Sequence, residues 1–404
     1  MLGLLVEAVA IVLLMLRPWA EPTASGGRKA LLHLPSTSDP TEPSYRGQPG
    51  PWGELIYTHI NLEPADEFTE VKAGYFEPTQ WHFVNYSREK LLGLLASSDL
   101  TPEQRGALSN TNAWQFASNA IIVMPSRRVV LGLSSRARSQ IYSVLAEHRI
   151  NTFHAMSFTF QAGEWEEWMA QSKLSEPTLT LLKRLTYERG SSICFSDLPE
   201  MFETISSVSE RQRLLKTLMR NATLLMKLHV QPDTDVNALV AYWGRGRRSK
   251  DLLPLLESLK LTLPGMTIDV AHLLPAFARK RLFMYPDPED GSLQDCYWTA
   301  MNFFNDPPDN RFMETTAWIK ELATEYTSVA EPTFGDVALL LDPNNAPFHA
   351  AVYVADNVLF TKNGGALGQP WLLMRWEDLL ARYPQNYQVR VSYYRRKHFA
   401  VGAL

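Results

Sequence analysis

Residues 335–364 read GDVALLLDPNNAPFHAAVYVADNVLFTKNG, and three strands and a turn can be placed in them from pattern alone. Val337 to Leu341 is a short apolar run, and His349 to Val354 opens on a histidine and then alternates. Val358 to Thr361 follows directly. Asp356-Asn357 sits between the last two, and this residue pair suits a tight turn with positive φ at both centres. Trp371 to Arg375 and Tyr387 to Tyr394 add two more strands, with a short helix from Trp376 to Tyr383 between them. Upstream, helical spacing covers Cys296 to Phe304 and Phe312 to Tyr326. Helices first and an antiparallel sheet after them define an α+β domain over 285–404, opened by the break Tyr285-Pro286-Asp287-Pro288-Glu289-Asp290-Gly291.

Residues 54–284 read as a mainly helical region. Thr101-Pro102-Glu103-Gln104 carries a capping hydroxyl, a first-turn proline and a Gln placed to return the bond. Ala120 to Met124 reads as a buried strand, and Ser134-Ser135 open a helix through Arg149. Glu164–Ser172, Thr178–Arg189 and Ser209–His229 show apolar residues at three- and four-residue spacing, with shorter helices over Asp235–Trp243 and Lys250–Leu261. Asp269 to Leu282 reads as a helix kinked at Pro275, with His272 on its apolar side. Asn221-Ala222-Thr223 matches a glycosylation signal but falls inside one of these helices. The loop Gly244-Arg245-Gly246-Arg247-Arg248-Ser249-Lys250 reads as a solvated turn, without the strand-then-helix setting of a phosphate loop.

The chain of 404 residues has room for more than one core. A net charge of −4 supplies no basic field, which argues against a nucleic-acid partner. Residues 1–24 contain an uncharged apolar run, Ala8 to Leu16, before small residues at 23–25; this suggests an export signal or short anchor and so a place near a membrane or outside the cell. Residues 25–53, rich in Pro, Gly and Ser from Ser36 on, read as a linker. Two cysteines, Cys194 and Cys296, cannot make a disulfide framework, though they could make one bridge. No His/Cys cluster has metal-ligand spacing, and no nucleotide fingerprint occurs, so neither a metal nor an organic cofactor is expected.

The chemistry centres on Asp295-Cys296. A thiol becomes a nucleophile when its thiolate is stabilised, and backbone N–H groups at a helix start and a nearby imidazole are two ways to do so. His349 supplies the imidazole. A base needs an orienting partner, and Thr361 and Asn363 share strand parity while Lys362 points the other way. Either could be the third member.

Asp-Cys on a helix, Gly335-Asp336 leading into an apolar strand, His349 heading the next strand and a polar residue shortly beyond it resemble the NlpC-type cell-wall cysteine peptidases. These belong to the papain-like superfamily, and the resemblance spans about residues 291–365. It implies a papain-like domain with Cys296 as nucleophile, His349 as base and Thr361 or Asn363 as orienter, with Gly335-Asp336 structural. It also implies a peptide or peptidoglycan-like substrate, cleaved at an amide or isopeptide bond by acyl transfer. The family has Ser-Gly after its Asp-Cys; here Tyr297 and Trp298 stand there, and they would reshape the substrate pocket. The rival expectation is a non-catalytic binding or scaffold protein that keeps the domain without the activity.

Overall fold

The computed structural model describes residues 44–400 except 67–68, 70–77, 149, 162, 164, 191, 263–264, 288–293, 366–367 and 384–387. The expected signal or anchor over 1–24, most of the linker and the end of the 285–291 break lie outside the described residues. The described residues belong to one compact unit, 43–404, and its class is mixed α+β with antiparallel sheets.

In chain order the strands are β1 (Tyr45–Arg46), β2 (Glu54–Leu62), β3 (Trp81–Val84), β4 (Gln115–Ala117), β5 (Ala120–Val123), β6 (Phe158–Gln161), β7 (Tyr187–Arg189) and β8 (Ser192–Phe195). They continue with β9 (Asn221–Val230), β10 (Met266–Asp269), β11 (Tyr326–Val329), β12 (Val337–Leu341), β13 (Pro347–Ala355), β14 (Val358–Lys362), β15 (Trp371–Arg375) and β16 (Arg390–Arg396). Two sheets matter for the site: a four-stranded one, β1-β2-β9-β10, and a six-stranded one, β11-β16-β12-β13-β14-β15. Two three-stranded sheets, β3-β5-β4 and β6-β8-β7, flank them.

Local signals act as expected where they are strong. Thr101 Oγ1 accepts from Gln104 N and Gln104 Oε1 accepts from Thr101 N, a reciprocal cap on the helix Pro102–Leu108. Ser134 caps Ser135–Ala146. Asp356 and Asn357 take φ of 44° and 64°, joining β13 to β14 in the mirror-image turn their side chains tolerate.

Helices predominate in the region 54–284, but among the described residues nine strands, β2 to β10, also lie within it. Ser209–His229 divides into a helix, Val208–Met219, and the strand β9. The run NATLLMKLHV alternates at the strand period of two, and position decides: β9 pairs with β2 on one side and β10 on the other, which satisfies its backbone groups. The Asn221-Ala222-Thr223 triplet therefore lies in a strand, with Asn221 and Thr223 buried. Thr178–Arg189 likewise splits, into a helix Glu176–Leu185 and β7. Asp269–Leu282 is broken rather than kinked: a 3-10 turn Val270–Leu273 ends before Pro275, which starts a new helix, Ala276–Arg281. His272 is exposed there rather than packed in the core.

The six-stranded sheet is buried on both faces, which is why β12 reads as unbroken Val-Ala-Leu-Leu-Leu. One face, with Val337, Leu339, Ala350, Val352, Phe360, Trp371 and Leu373, joins the core that contains Cys296, Trp298 and the four-stranded sheet's Leu55, Tyr57, Met226 and Leu228. The other, with Ala338, Leu340, Ala351, Tyr353, Leu359 and Leu372, packs with Trp376 and Leu379. Residues from before 285 thus complete the core around Cys296. Tyr242 hydroxyl donates to Val354 O at 2.7 Å, and Thr223 Oγ1 donates to Leu373 O at 2.8 Å.

The Arg-rich loop is part of this joint and not a solvated turn. Arg245 Nη1 meets Asp336 Oδ1 at 3.1 Å, Arg395 Nη2 meets Oδ2 at 2.6 Å, and Thr333 N donates to Oδ2 at 2.9 Å. Gly335, at φ 85°, turns the chain against the Phe304 ring, where a Cβ would collide.

Candidate active site

Asp295 caps the helix Cys296–Met301, its Oδ1 accepting Trp298 N at 2.9 Å. The helix is shorter than its apolar pattern suggests. Asn302 ends it, donating through Nδ2 to Trp298 O and Asp309 O while Oδ1 accepts Asp309 N. So short a helix carries little macrodipole, and the backbone N–H groups of Ala350, Cys296 and Tyr297 are what act to lower the thiol.

Tyr297 and Trp298 leave that sulfur. Tyr297 stacks on Trp318, ring centres 4.2 Å apart, and its hydroxyl donates to Pro347 O at 2.8 Å. Trp298 is fully buried against Phe277 and reaches Asn310 Oδ1 with Nε1 at 3.3 Å.

His349 is buried at the start of β13, opposite Leu340. Nε2 hydrogen-bonds Thr361 Oγ1 at 2.9 Å, and Nδ1 hydrogen-bonds the Tyr383 hydroxyl, also at 2.9 Å. Of the two candidate orienters, Thr361 is the one brought to the imidazole. Asn363 turns to Met374, its Nδ2 3.2 Å from Sδ. Tyr383 follows the helix Trp376–Arg382 and closes the imidazole's second nitrogen. Nothing in its local pattern, ARYP, marks it for that place.

Parity separates the expected pair. His349 alternates with Ala351 and Tyr353, Thr361 with Leu359, and these belong to the face covered by Trp376 and Leu379. Ala350, Val352 and Phe360 belong to the face covered by the Cys296 helix. Lys362 alternates with Phe360, so the direction expected for it, away from Thr361, is the direction of the thiol.

Burial governs the electrostatics. It pushes the Cys296 thiol up to about 12, with the Asp295 carboxyl adding to the rise and the three N–H groups opposing it. Burial lowers His349 to about 3. It also lowers Lys362 to about 8, against the pull of Cys296 and Asp295. Asp295 is itself raised, by burial first, while the Trp298 and Tyr297 N–H groups oppose.

Both cysteines are free thiols, so the Cys194–Cys296 bridge is not formed. Two surface clefts, one of about 270 Å³ beside Glu54, His229 and Gln231 and one of about 410 Å³ beside Tyr86, Arg88 and Phe116, do not touch Cys296. Among the described residues no group of His, Cys, Asp and Glu could hold a metal ion. Among the same residues no helix is long and apolar enough to cross a membrane. No protein-family model, no curated protein and no solved structure matches the chain.

Proposed function

We infer that the chain is a cysteine hydrolase of amide or isopeptide bonds, of papain-like type, described here in a closed state. The observation that carries this reading is the Asp295-capped helix that opens on Cys296, where the nearby backbone N–H groups act to lower the thiol. Such donors stabilise a thiolate, and backbone donors at a helix start are also the kind that the oxyanion of a tetrahedral adduct requires. Cys296 is the nucleophile. The imidazole is held by Thr361 at 2.9 Å, which orients it, and it serves as base through Tyr383, whose hydroxyl hydrogen-bonds Nδ1 and which Cys296 also influences from the other face. The substrate is a peptide of the peptidoglycan kind, a step exported proteins can perform outside the cell. The test incubates the full chain with γ-D-glutamyl–diamino-acid peptides and ordinary peptides and follows amide cleavage by mass spectrometry. Cleavage lost in Cys296→Ala supports the reading; a chain inert on both classes, with Cys296 alkylated only on unfolding, removes it.

A second reading, a non-catalytic binding or scaffold protein, is favoured by one observation: burial holds the thiol up at about 12. It expects Cys296→Ala to leave partner binding unchanged.

A further inference from the structure

The two edges of the small sheet β3-β5-β4 are finished differently. At β3, Asn151 takes both outward backbone groups of His82: its Oδ1 accepts His82 N and its Nδ2 donates to His82 O, each at 2.9 Å. That amide closes the edge as a further strand would. At β4 the edge is open. Ala117 and Ala120 flank the two-residue turn Ser118-Asn119 and form its closing hydrogen-bonded pair. Phe116, opposite Ile121, therefore belongs to a non-hydrogen-bonded pair, and its N–H and C=O point away from β5. Among the described residues no partner outside the ladder engages either group. The hairpin is firmly seated, since Asn119 O accepts Asn85 N at 2.7 Å.

The Phe116 side chain is uncovered too. At 59 % exposure it is the one aromatic ring among the large apolar side chains that the described residues leave in solvent. It lines the cleft of about 410 Å³ with Tyr86, Arg88 and Asn119. Two cations attend these rings. The Arg88 guanidinium carbon lies 5.9 Å from the Phe116 ring centre, and Lys90 Nζ lies 3.9 Å from that of Tyr86. Both stand in the first turn of the helix Arg88–Ser97, and among the described residues neither has an ion pair. Glu89, between them, is held low by its own backbone N–H first and then by Ser87, so it answers the helix start. Glu147 acts on Tyr86 and pairs with neither cation.

We propose that β4 docks an extended acidic segment of a partner protein, which adds a fourth strand to the sheet β3-β5-β4. One partner residue exchanges two backbone hydrogen bonds with Phe116. Residues directly opposite share a face, so an apolar side chain at that position packs on the Phe116 ring. The partner residues two positions before and after it project to the same face. Carboxylates there meet Arg88 and Lys90, which defines a segment of the form Glu-x-apolar-x-Glu. A neutral glycan would stack on Phe116 but leave both cations unanswered, so the peptide is favoured. The inference goes beyond the hydrolase reading and does not rest on it, because this cleft does not touch Cys296.

The experiment measures fluorescence anisotropy of a labelled peptide, Ser-Glu-Thr-Leu-Thr-Glu-Ser with blocked ends, against the full chain. Saturable binding is expected, at least ~10-fold tighter than for the peptide with Lys in place of both Glu. The double variant Arg88→Glu, Lys90→Glu should reverse that preference, and Phe116→Ala should weaken binding at least ~10-fold. Two N-methylated peptides test the strand edge without any change to the protein. A methyl on the Leu nitrogen removes the donor aimed at Phe116 O and should abolish binding; a methyl on the next Thr nitrogen points away and should leave it intact. Absence of saturable binding, equal binding of the Lys peptide, indifference to Phe116→Ala or equal effects of the two methyl groups would each overturn the proposal. Displacement of the peptide by cellohexaose would do so as well, assigning the cleft to a glycan.

Discussion

On one face of the six-stranded sheet His349, Thr361 and Tyr383 close a chain of neutral hydrogen bonds; on the other, Cys296, Asp295 and Lys362 sit beside one apolar core. The first arrangement needs no charge, since each polar atom of the imidazole has a partner and burial keeps it uncharged. The second holds ionisable groups where charge is expensive. Packing alone would place a leucine at position 362. Costly arrangements that persist in a packed core concentrate at working sites, and that contrast directs attention to the thiol face.

The comparison can be broken most forcefully at Asp336, which enters β12 just before its residues divide between the faces. Asp336→Ala leaves Arg245 and Arg395 without the carboxylate they share, and a loss of about 3–5 kcal/mol is expected from urea unfolding. A loss under about 1 kcal/mol would mean the two halves of the chain are held together elsewhere.

Lys362→Met sharpens the contrast from the other direction. The folded lysine titrates at about 8, below its ordinary 10.5. The unfolded chain therefore holds that proton more strongly, and the penalty is complete below about pH 8 and gone above the unfolded value. Lys362→Met should stabilise the fold by up to about 3 kcal/mol at pH 7, with the gain fading as pH rises toward 10.5. Unfolding midpoints at pH 7 and pH 10 check it; a destabilised variant at pH 7 would show that the lysine's contacts outweigh its desolvation.

His349 supplies the smallest of the three effects. Its folded value, about 3, lies below its ordinary 6.5, so its contribution is complete above 6.5 and is lost as pH falls toward 3. Between pH 7 and pH 5 the parent should lose about 2 kcal/mol more than His349→Gln. His154, lowered to about 3 by burial and Arg189, remains in both chains and cancels. Equal acid sensitivity of the two chains would mean that His349 meets solvent.

Much of the 285–404 segment is legible in the amino-acid order. Val337–Leu341 and Trp371–Arg375 occur with the boundaries read from composition, and Asp356-Asn357 makes its turn. Asp295 caps its helix, and Thr361 meets His349, because these are short-range matters of parity and side-chain chemistry. Less of 54–284 is legible. Leu224, Met226, Leu228 and Val230 alternate at the strand period of two, but the helical spacing of the run before them reads on through them, and β2 and β10 on either side show the strand. Tyr383 at the imidazole and Arg245 at Asp336 each join residues far apart in the chain, and no local signal announces such a meeting.

Amino-acid order alone settles which side chains share a face: His349 with Ala351, Thr361 with Asn363, Lys362 with Phe360. The alternation of a strand is a property of its backbone. Which of those faces the Cys296 helix covers was left to the tertiary structure. The whole apolar surface decides it, from Leu55 to Leu373, by burying itself against one side of the sheet and leaving the imidazole on the other.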